Sequence, residues 1–91
     1  MGPKDNFGIW IVKDYLFAGH KLARAWWNGK NMYIYFVPDG SYPAQTDIAR
    51  KEFWDMVPYS RYIAMKTVDD IIVPWTVSQT DLLAQDWFVV D

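Results

Sequence analysis

The chain has 91 residues, a formal net charge of −2 and no cysteine, which fits one domain over residues 1–91. Without cysteine it has neither a disulfide framework nor thiolate ligands for a metal, and nothing in it indicates secretion. No apolar run approaches the length that crosses a membrane. The composition therefore indicates a soluble protein that works in the cytoplasm.

Charged and aromatic residues are unusually distributed for a chain of this size. Residues 1–32 carry five Lys/Arg and two Asp, whereas residues 33–91 carry four Lys/Arg and nine Asp/Glu. This balance argues against a long basic groove for DNA or RNA, but it leaves room for one small anion near Arg24 and Lys30. Six Trp, six Tyr and five Phe exceed what so small a core encloses comfortably. Some rings are therefore expected at the surface, in a subunit interface or as stacking platforms.

The first predicted element is a helix over residues 7–18. Asn6 can cap its start, and Gly19 can end it in a left-handed conformation. Its surface is apolar almost all round, so a curled sheet or a partner subunit is expected to enclose it. A strand over residues 9–12 is the alternative, because this run is rich in β-forming residues and too short for its periodicity to decide.

Two hairpins are predicted further along. Residues 21–26 alternate between polar and apolar, and residues 32–37 form a strong strand signal. The connection is longer than the tightest turn, so a protruding loop with a bulge is expected between them. Residues 61–66 and 71–73 form the second hairpin, around a turn at Asp69–Asp70.

The remaining signals are short helices and a last strand. Between the hairpins, Pro38 to Pro58 combines turn signals with a helix that Thr46 can cap. Ser78 followed by Asp81 matches a capping box and predicts another short helix, and residues 87–90 predict a final strand. The expected fold class is α+β, with a small antiparallel sheet curled around an N-terminal helix and a short helix before the last strand.

Residues suited to catalysis are scarce. The one histidine, His20, follows a predicted helix end and is read as a surface or capping residue. Asp69 and Asp70 fall in a turn, where carboxylates accept local backbone N–H bonds rather than act as an acid/base pair. No metal-ligand cluster and no glycine-rich phosphate loop is visible in the sequence. We therefore expect no enzyme activity, no metal and no cofactor.

Two segments combine indoles with polar neighbours, residues 24–32 and residues 75–86. Together they offer what a nucleotide needs: a planar surface for adenine, worth about 1–3 kcal/mol per stacked base, polar groups for ribose and cations for phosphate. The backbone N–H groups at the start of the Ser78 helix can also take a phosphate. The alternative is structural: Trp75 and Trp87 pack in the core, Trp27 packs half-buried on the neighbouring strand, and the polar residues only cap a helix.

Three blocks in order, residues 21–32, 62–67 and 73–87, resemble the second Thoeris anti-defence family. Its members are small, mostly phage-encoded proteins that neutralise Thoeris immunity by holding its cyclic ADP-ribose signal. They usually carry glycine where this chain has Trp26 and Asn31. Asparagine tolerates a left-handed backbone, whereas the indole of Trp26 is an addition to the loop.

The resemblance implies a homotetramer with ligand pockets between subunits, which would account for the surplus of aromatic residues. It also implies a sponge that binds glycocyclic ADP-ribose without cleaving it, in the cytoplasm of an infected host. A sponge for cyclic dinucleotides, or a non-enzymatic interaction or structural module, is the alternative. The residues expected to bind the signal are Trp27 and Trp75 as stacking surfaces, Asn28, Ser78, Thr80 and Asp81 as polar readers, and Arg24 and Lys30 facing the pyrophosphate.

Overall fold

The computed structural model describes residues 5–27 and 30–90. Over these residues the chain forms β1 (Asp5–Phe7), α1 (Ile9–Phe17), β2 (Lys21–Arg24), a 3-10 turn (Ala25–Trp27), β3 (Tyr33–Val37), β4 (Gly40–Pro43), α2 (Asp47–Phe53), β5 (Met56–Tyr59), β6 (Tyr62–Lys66), β7 (Ile72–Pro74), α3 (Gln79–Leu83) and β8 (Trp87–Val90). None of the helices in these ranges has the length and apolar character needed to cross a bilayer.

Most of the described strands form one antiparallel sheet, in the order β1-β8-β2-β3-β6-β7. β4 and β5 form a separate two-stranded ribbon. The edge strands are short: β1 bulges at Asn6 and β7 ends at Pro74. Helix α1 packs against β2, β3 and β8, and α3 precedes the last strand in the chain. The predicted α+β class and its antiparallel sheet are confirmed.

The core lies between α1 and one face of the sheet. Leu22 pairs with Ile34 on one side and with Val89 on the other, and all three side chains are buried. Val12 and Leu16 of α1 complete this cluster. Because side chains alternate along a strand, the intervening residues of the same strands point to the opposite face of the sheet, which we call the far face.

Helix α1 begins later than the sequence indicates. The predicted cap by Asn6 and the helical start at residue 7 are wrong, because Asn6 takes a φ of 59° in the bulge and Phe7 pairs with Trp87 as a strand. Gly8 is the N-cap residue. The alternative strand over residues 9–12 is also wrong, since this run forms the first turn of the helix.

The end of α1 follows the prediction. Gly19 has a φ of 95°, and its N–H group donates to the carbonyl of Leu16, while the N–H group of His20 donates to Tyr15. This pair of bonds is a Schellman motif, which satisfies two terminal carbonyls of the helix. The outer side of α1 is not enclosed by the single chain, because Trp10 is 86% exposed.

Both predicted hairpins are present. β2 pairs with β3, and the residues between them include the 3-10 turn and Asn31, whose φ of 58° is the left-handed conformation expected there. β6 pairs with β7, and Asp70 takes a φ of 63° in the connecting turn. Part of the predicted protruding loop, Asn28 and Gly29, lies outside the described residues.

Residues 40–59 form a projection that we call the arm, made of β4, α2 and β5. The helix capped by Thr46 is confirmed, since its hydroxyl accepts from the N–H group of Ala49, but the two flanking strands were not predicted. The molecule extends over 51 × 26 × 25 Å, and its radius of gyration is 15.6 Å. A compact chain of this length would have about 12 Å. Several large apolar side chains of the arm are exposed: Tyr42, Ile48, Phe53, Trp54, Met56 and Tyr59.

Candidate functional site

Arg24 joins the two segments that the sequence singles out. It is the last residue of β2 and lies opposite Trp87 of β8, so its side chain points towards the α1 side of the sheet. There Nη1 donates to the carboxylate of Asp81 at 2.7 Å, and Nε donates to that of Asp86 at 2.6 Å. The first partner lies in α3 and the second just before β8. A single guanidinium therefore connects strand, helix and loop.

The charges in this cluster are largely removed from water. Arg24 is 7% exposed and Asp81 is 8% exposed. Burial alone would lower the pKa of Arg24, but the hydrogen bonds and negative charges of Asp86 and Asp81 outweigh it, so the pKa lies above its usual value. One cation faces two carboxylates, which leaves the cluster with a formal charge of −1.

Three indoles pack beside this cluster. The rings of Trp27 and Trp75 each meet the fully buried ring of Trp87 edge to face, with centroids 5.5 Å and 5.9 Å away. The Nε1–H of Trp87 donates to the backbone carbonyl of Asp81 at 3.1 Å. Two of the residues predicted as stacking surfaces are thus brought together through a third indole, and the same indole fixes the position of α3.

The structure does not leave Arg24 and Trp27 as open to a ligand as their predicted roles require. Trp27 is 3% exposed, so in the single chain neither face of its ring is open to an adenine base. Arg24 is 7% exposed and uses two of its five N–H donors on carboxylates, so an anion would have to reach its remaining donors beside two negative charges. In the single chain, Trp27 is packed in the fold, as the structural alternative predicts. Asn28 lies outside the described residues.

The remaining predicted residues are more open. The hydroxyl of Ser78 accepts from the N–H group of Asp81 at 3.1 Å and caps α3, as predicted. In a capping box the Asp81 carboxylate would also accept from the backbone N–H of Ser78, but here it accepts from Arg24 instead. Thr80 is exposed in the first turn of α3. Lys30 is exposed, with Nζ 4.7 Å from the centre of the Trp26 ring.

Trp27 and Trp75 line different cavities. Trp75 is half-buried and borders an apolar groove of about 220 Å³ between α1 and the sheet, together with Ile63, Val77 and Leu82. Trp27 borders a cavity of about 280 Å³ whose other walls include Tyr33 and Phe88 on the far face. The two segments share a junction, but each presents its own concave surface.

Asp86 and Trp87 hold the junction together. The structural alternative placed Trp87 in the core, where it is fully buried, whereas the sequence analysis assigned Asp86 no role. Trp87 follows a turn signal and starts a strand, which gives no sign that it is the centre of three indoles. The far face was also missed, although the alternation along β2, β3 and β8 contains the signal: it places Ala23, Tyr33 and Phe88 on one side. Within residues 5–27 and 30–90, no group of carboxylate, His or Cys side chains is arranged to hold a metal ion.

Comparisons with known proteins match nearly the whole chain, including the residues of this junction. The family model described as Thoeris anti-defense 2-like domain matches residues 6–90. The chain belongs to the Thoeris anti-defense 2 family. A relative named Thoeris anti-defense 2, from Bacillus phage SP01, is 32% identical over 90 residues, which cover 99% of this chain and 99% of the relative. Membership of the Thoeris anti-defense 2 family indicates an anti-defence role. Because the match covers residues 6–90, the arm is part of the family's domain.

Proposed function

We propose that this protein neutralises Thoeris immunity by binding a cyclic ADP-ribose signal, glycocyclic ADP-ribose, and holding it without cleavage. The observation that carries the proposal is the junction: in a chain of this family, the two segments suited to a nucleotide meet at Arg24, Asp81 and Trp87. A rigid junction supports tight binding, because side chains that are already ordered lose little freedom when a ligand arrives.

The proposed contacts fall into two groups. Trp75 is half-buried beside the apolar groove, and Ser78 and Thr80 are exposed at the start of α3; we assign the base to the indole and the ribose to the hydroxyl groups. Lys30, an exposed cation that lies over the Trp26 ring, faces the pyrophosphate on the other segment. Asp81 reads the ligand only through the part of its carboxylate that Arg24 leaves open.

Three roles stay predictions with conditions attached. A pyrophosphate bond from Arg24 requires the ligand to reach a guanidinium that is 7% exposed, through the N–H groups that Asp81 and Asp86 do not use. Stacking on Trp27 requires the 3-10 turn to open. Asn28 remains the proposed ribose contact in the loop between β2 and β3.

We also propose that several copies assemble, as a homotetramer with ligand pockets between subunits. Exposed apolar side chains on α1 and on the arm support this proposal, among them Trp10 and Trp54. A single small domain rarely leaves so much apolar surface in water unless another molecule covers it. A pocket completed by a second copy would enclose the ligand on sides that the single chain leaves open.

Sequestration sets a demand on affinity. A sponge in the cytoplasm of an infected cell must hold a submicromolar signal below the level that activates the effector. That requires at least about 8–9 kcal/mol of binding free energy. Slow release follows, because most differences in affinity between related complexes arise in the dissociation rate.

The decisive experiment mixes purified protein with glycocyclic ADP-ribose, removes free ligand by filtration and then heats the protein. Intact ligand should return to solution. A parallel experiment uses cyclic dinucleotides in place of glycocyclic ADP-ribose. At a hundred times the dissociation constant, bound ligand should add about 2.7 kcal/mol to the stability of the folded protein. Recovery of a cleaved product would point to an enzyme. If the protein retains neither glycocyclic ADP-ribose nor cyclic dinucleotides, the sponge is refuted.

Matched variants locate the site. Trp75→Ala should remove most of the ligand-dependent thermal shift, whereas Val68→Ala, which truncates an exposed apolar residue in the turn between β6 and β7, should not. If Trp75→Ala unfolds the protein, Thr80→Val serves instead, because it keeps the shape of an exposed residue and deletes its hydroxyl. An unchanged shift in both variants would place the ligand elsewhere.

A second candidate is a protein-interaction module. The arm favours it, because its apolar residues are exposed at the end of a long projection. A protein of this kind would show no nucleotide-dependent shift. Its anti-defence activity would then be lost on changing Trp54, while changes at Thr80 would have no effect.

A further inference from the structure

The cavity beside Trp27 opens on the far face of the sheet. Ala23 pairs with Phe88 there, and the register of β2 and β3 puts Tyr33 on the other side of Ala23. The methyl group of Ala23 is nearly fully buried between two large rings, so it forms a low floor with aromatic walls. Met32 and Val90 add apolar surface, and the space measures about 280 Å³.

Trp27, one of the residues that line this cavity, carries a buried donor without an acceptor. The Nε1–H of Trp27 is shielded from solvent and meets no hydrogen-bond acceptor within residues 5–27 and 30–90. Buried indole N–H groups usually have a partner, and an unsatisfied one costs free energy. The other buried indole of the junction, Trp87, follows the rule through the carbonyl of Asp81. Trp27 is therefore the exception, and it lies beside an open space.

The walls of the cavity suit a flat ring better than a water molecule. A buried water needs two to four polar partners, whereas most of this lining is apolar or aromatic. A heteroaromatic ring can pack between Phe88 and Tyr33 and present an acceptor nitrogen in its plane to the indole N–H. The volume lies below the roughly 300–1,000 Å³ of sites that enclose a drug-sized ligand, so it holds one part of a larger molecule.

The charges at the rim indicate what the rest of the molecule carries. Lys21 and Lys66 both approach the ring of Tyr33, with Nζ 5.0 Å and 5.7 Å from its centre. Lys66 is already bound, because its Nζ donates to the carbonyl of Asn31 at 2.7 Å and pairs with Asp70. Lys21 is the rim cation left to meet an anionic group, as a phosphate attached to the ring through a sugar would provide.

We propose that this cavity is a nucleobase subsite. A purine enters from the far face, its ring lies between Tyr33 and Phe88, and a ring nitrogen accepts from Nε1–H of Trp27. The sugar and phosphate leave towards Lys21. Trp27 thus contributes the edge of its indole rather than a stacking face. This inference rests on the proposed function and names the part of the ligand that this side of the junction holds.

The test observes the indole N–H groups directly by nitrogen-proton correlation NMR. Trp27→Phe identifies the resonance of Trp27 by its disappearance. Adenosine monophosphate and glycocyclic ADP-ribose should move that resonance downfield, as a new hydrogen bond requires, while the resonance of Trp87 stays nearly unchanged. Ribose 5-phosphate, which lacks the base, should leave Trp27 unchanged at the same concentration.

A cavity-filling variant supplies an independent measurement. Ala23→Leu places three more carbon atoms on the floor of the cavity, and it should weaken adenosine monophosphate binding at least about tenfold, equivalent to about 1.4 kcal/mol. Ala25→Leu adds the same atoms at an exposed position two residues away and should bind as the unchanged protein does. The thermal unfolding of each variant without ligand shows whether it folds.

The outcomes separate this inference from the proposed function. If glycocyclic ADP-ribose binds but the Trp27 resonance does not move and Ala23→Leu binds normally, the subsite is refuted and the sponge survives. A movement with ribose 5-phosphate as large as with adenosine monophosphate also refutes a base subsite. If glycocyclic ADP-ribose, adenosine monophosphate and cyclic dinucleotides all fail to bind, both proposals fall.

Discussion

The junction and the arm use the same kinds of residue in opposite ways. At the junction, the rings of Trp27 and Trp75 pack on a fully buried Trp87. In the arm, Trp54 is 84% exposed and α2 contains no buried residue. Each region also has an arginine paired with aspartate: Arg24 and Asp81 are buried and Asp86 is half-buried, whereas Arg50 meets Asp47 in solvent.

The difference shows that residue type alone does not decide what a side chain contributes. A buried indole stabilises the single chain, because its apolar area leaves water when the chain folds. An exposed indole contributes little to folding and remains free for another molecule. We therefore expect substitutions in the junction to change stability and substitutions in the arm to change association.

The largest effect is expected at Trp87. Trp87→Ala removes a fully buried ring that contacts two other indoles, and it should lower the free energy of unfolding by about 3–5 kcal/mol. Trp54→Ala, the matched change in the arm, should alter it by less than about 0.5 kcal/mol. Urea denaturation followed by circular dichroism measures both. Equal losses would mean that the arm is buried within an assembly.

Loss of the ion pair at the junction should also cost more stability than loss of the ion pair in the arm. Arg24→Met leaves Asp81 and Asp86 without their buried cation and should cost about 3 kcal/mol of unfolding free energy. Arg50→Met breaks an exposed pair in the arm and should cost less than about 0.5 kcal/mol. Similar costs for the two variants would contradict the contrast between a buried and a solvated pair.

The pH dependence of the Arg24 contribution has a definite sign. A cation whose pKa is raised in the folded state stabilises the protein fully below its unfolded pKa, and this stabilisation is lost only as the pH rises through the folded value. Both values for arginine lie far above neutrality. The difference in stability between the unchanged protein and Arg24→Met should therefore stay constant from about pH 7 to 9. A decline over that range would show that Arg24 is not the group responsible.

Helix caps offer a finer version of the same comparison. Ser78→Ala deletes the hydroxyl that caps α3, and because α3 is anchored through Asp81, the loss of about 1 kcal/mol should appear in global unfolding. Thr46→Ala deletes the corresponding hydroxyl of α2. Its effect should appear mainly as faster amide hydrogen exchange within α2, because that helix can open locally. The reverse pattern would mean that the arm and the sheet unfold as one unit.

The smallest effect, with the opposite sign, is expected at Trp54. This residue has a φ of 67° with a side chain almost fully in solvent, a conformation that glycine adopts without strain. Trp54→Gly should raise the free energy of unfolding by up to about 1 kcal/mol, whereas Trp54→Ala should not. Native mass spectrometry of Trp54→Gly then reports whether the indole supports an assembly. Destabilisation by glycine would indicate that the ring packs against a partner.

Local chemistry explains which elements the sequence predicts correctly. Gly19, Thr46 and Ser78 each act within a few residues of the chain, so their caps and turns are readable from one sequence. Alternating strands are readable for the same reason. The start of α1 is a local failure, because pairing of Phe7 with β8 overrides the helical signal.

The junction could be predicted only in part, because its contacts join distant positions. Arg24 and Asp81 are 57 residues apart in the chain, and nothing in their own neighbourhoods states that they pair. The sequence singled out both segments by their indoles, but burial decides whether a ring stacks on a ligand or on Trp87. The arm strands were missed because turn residues surround them and their partners lie across α2.

The two outer strands of the sheet carry a further consequence. β1 is interrupted by the bulge at Asn6, and β7 is three residues long and ends in Pro74, which lacks an N–H group. Neither border offers a long, regular row of donors and acceptors that a strand from another molecule could extend. The assembly proposed above would therefore have to form through other surfaces of the molecule than these two borders. Growth into an open-ended fibril by strand addition is opposed at both borders.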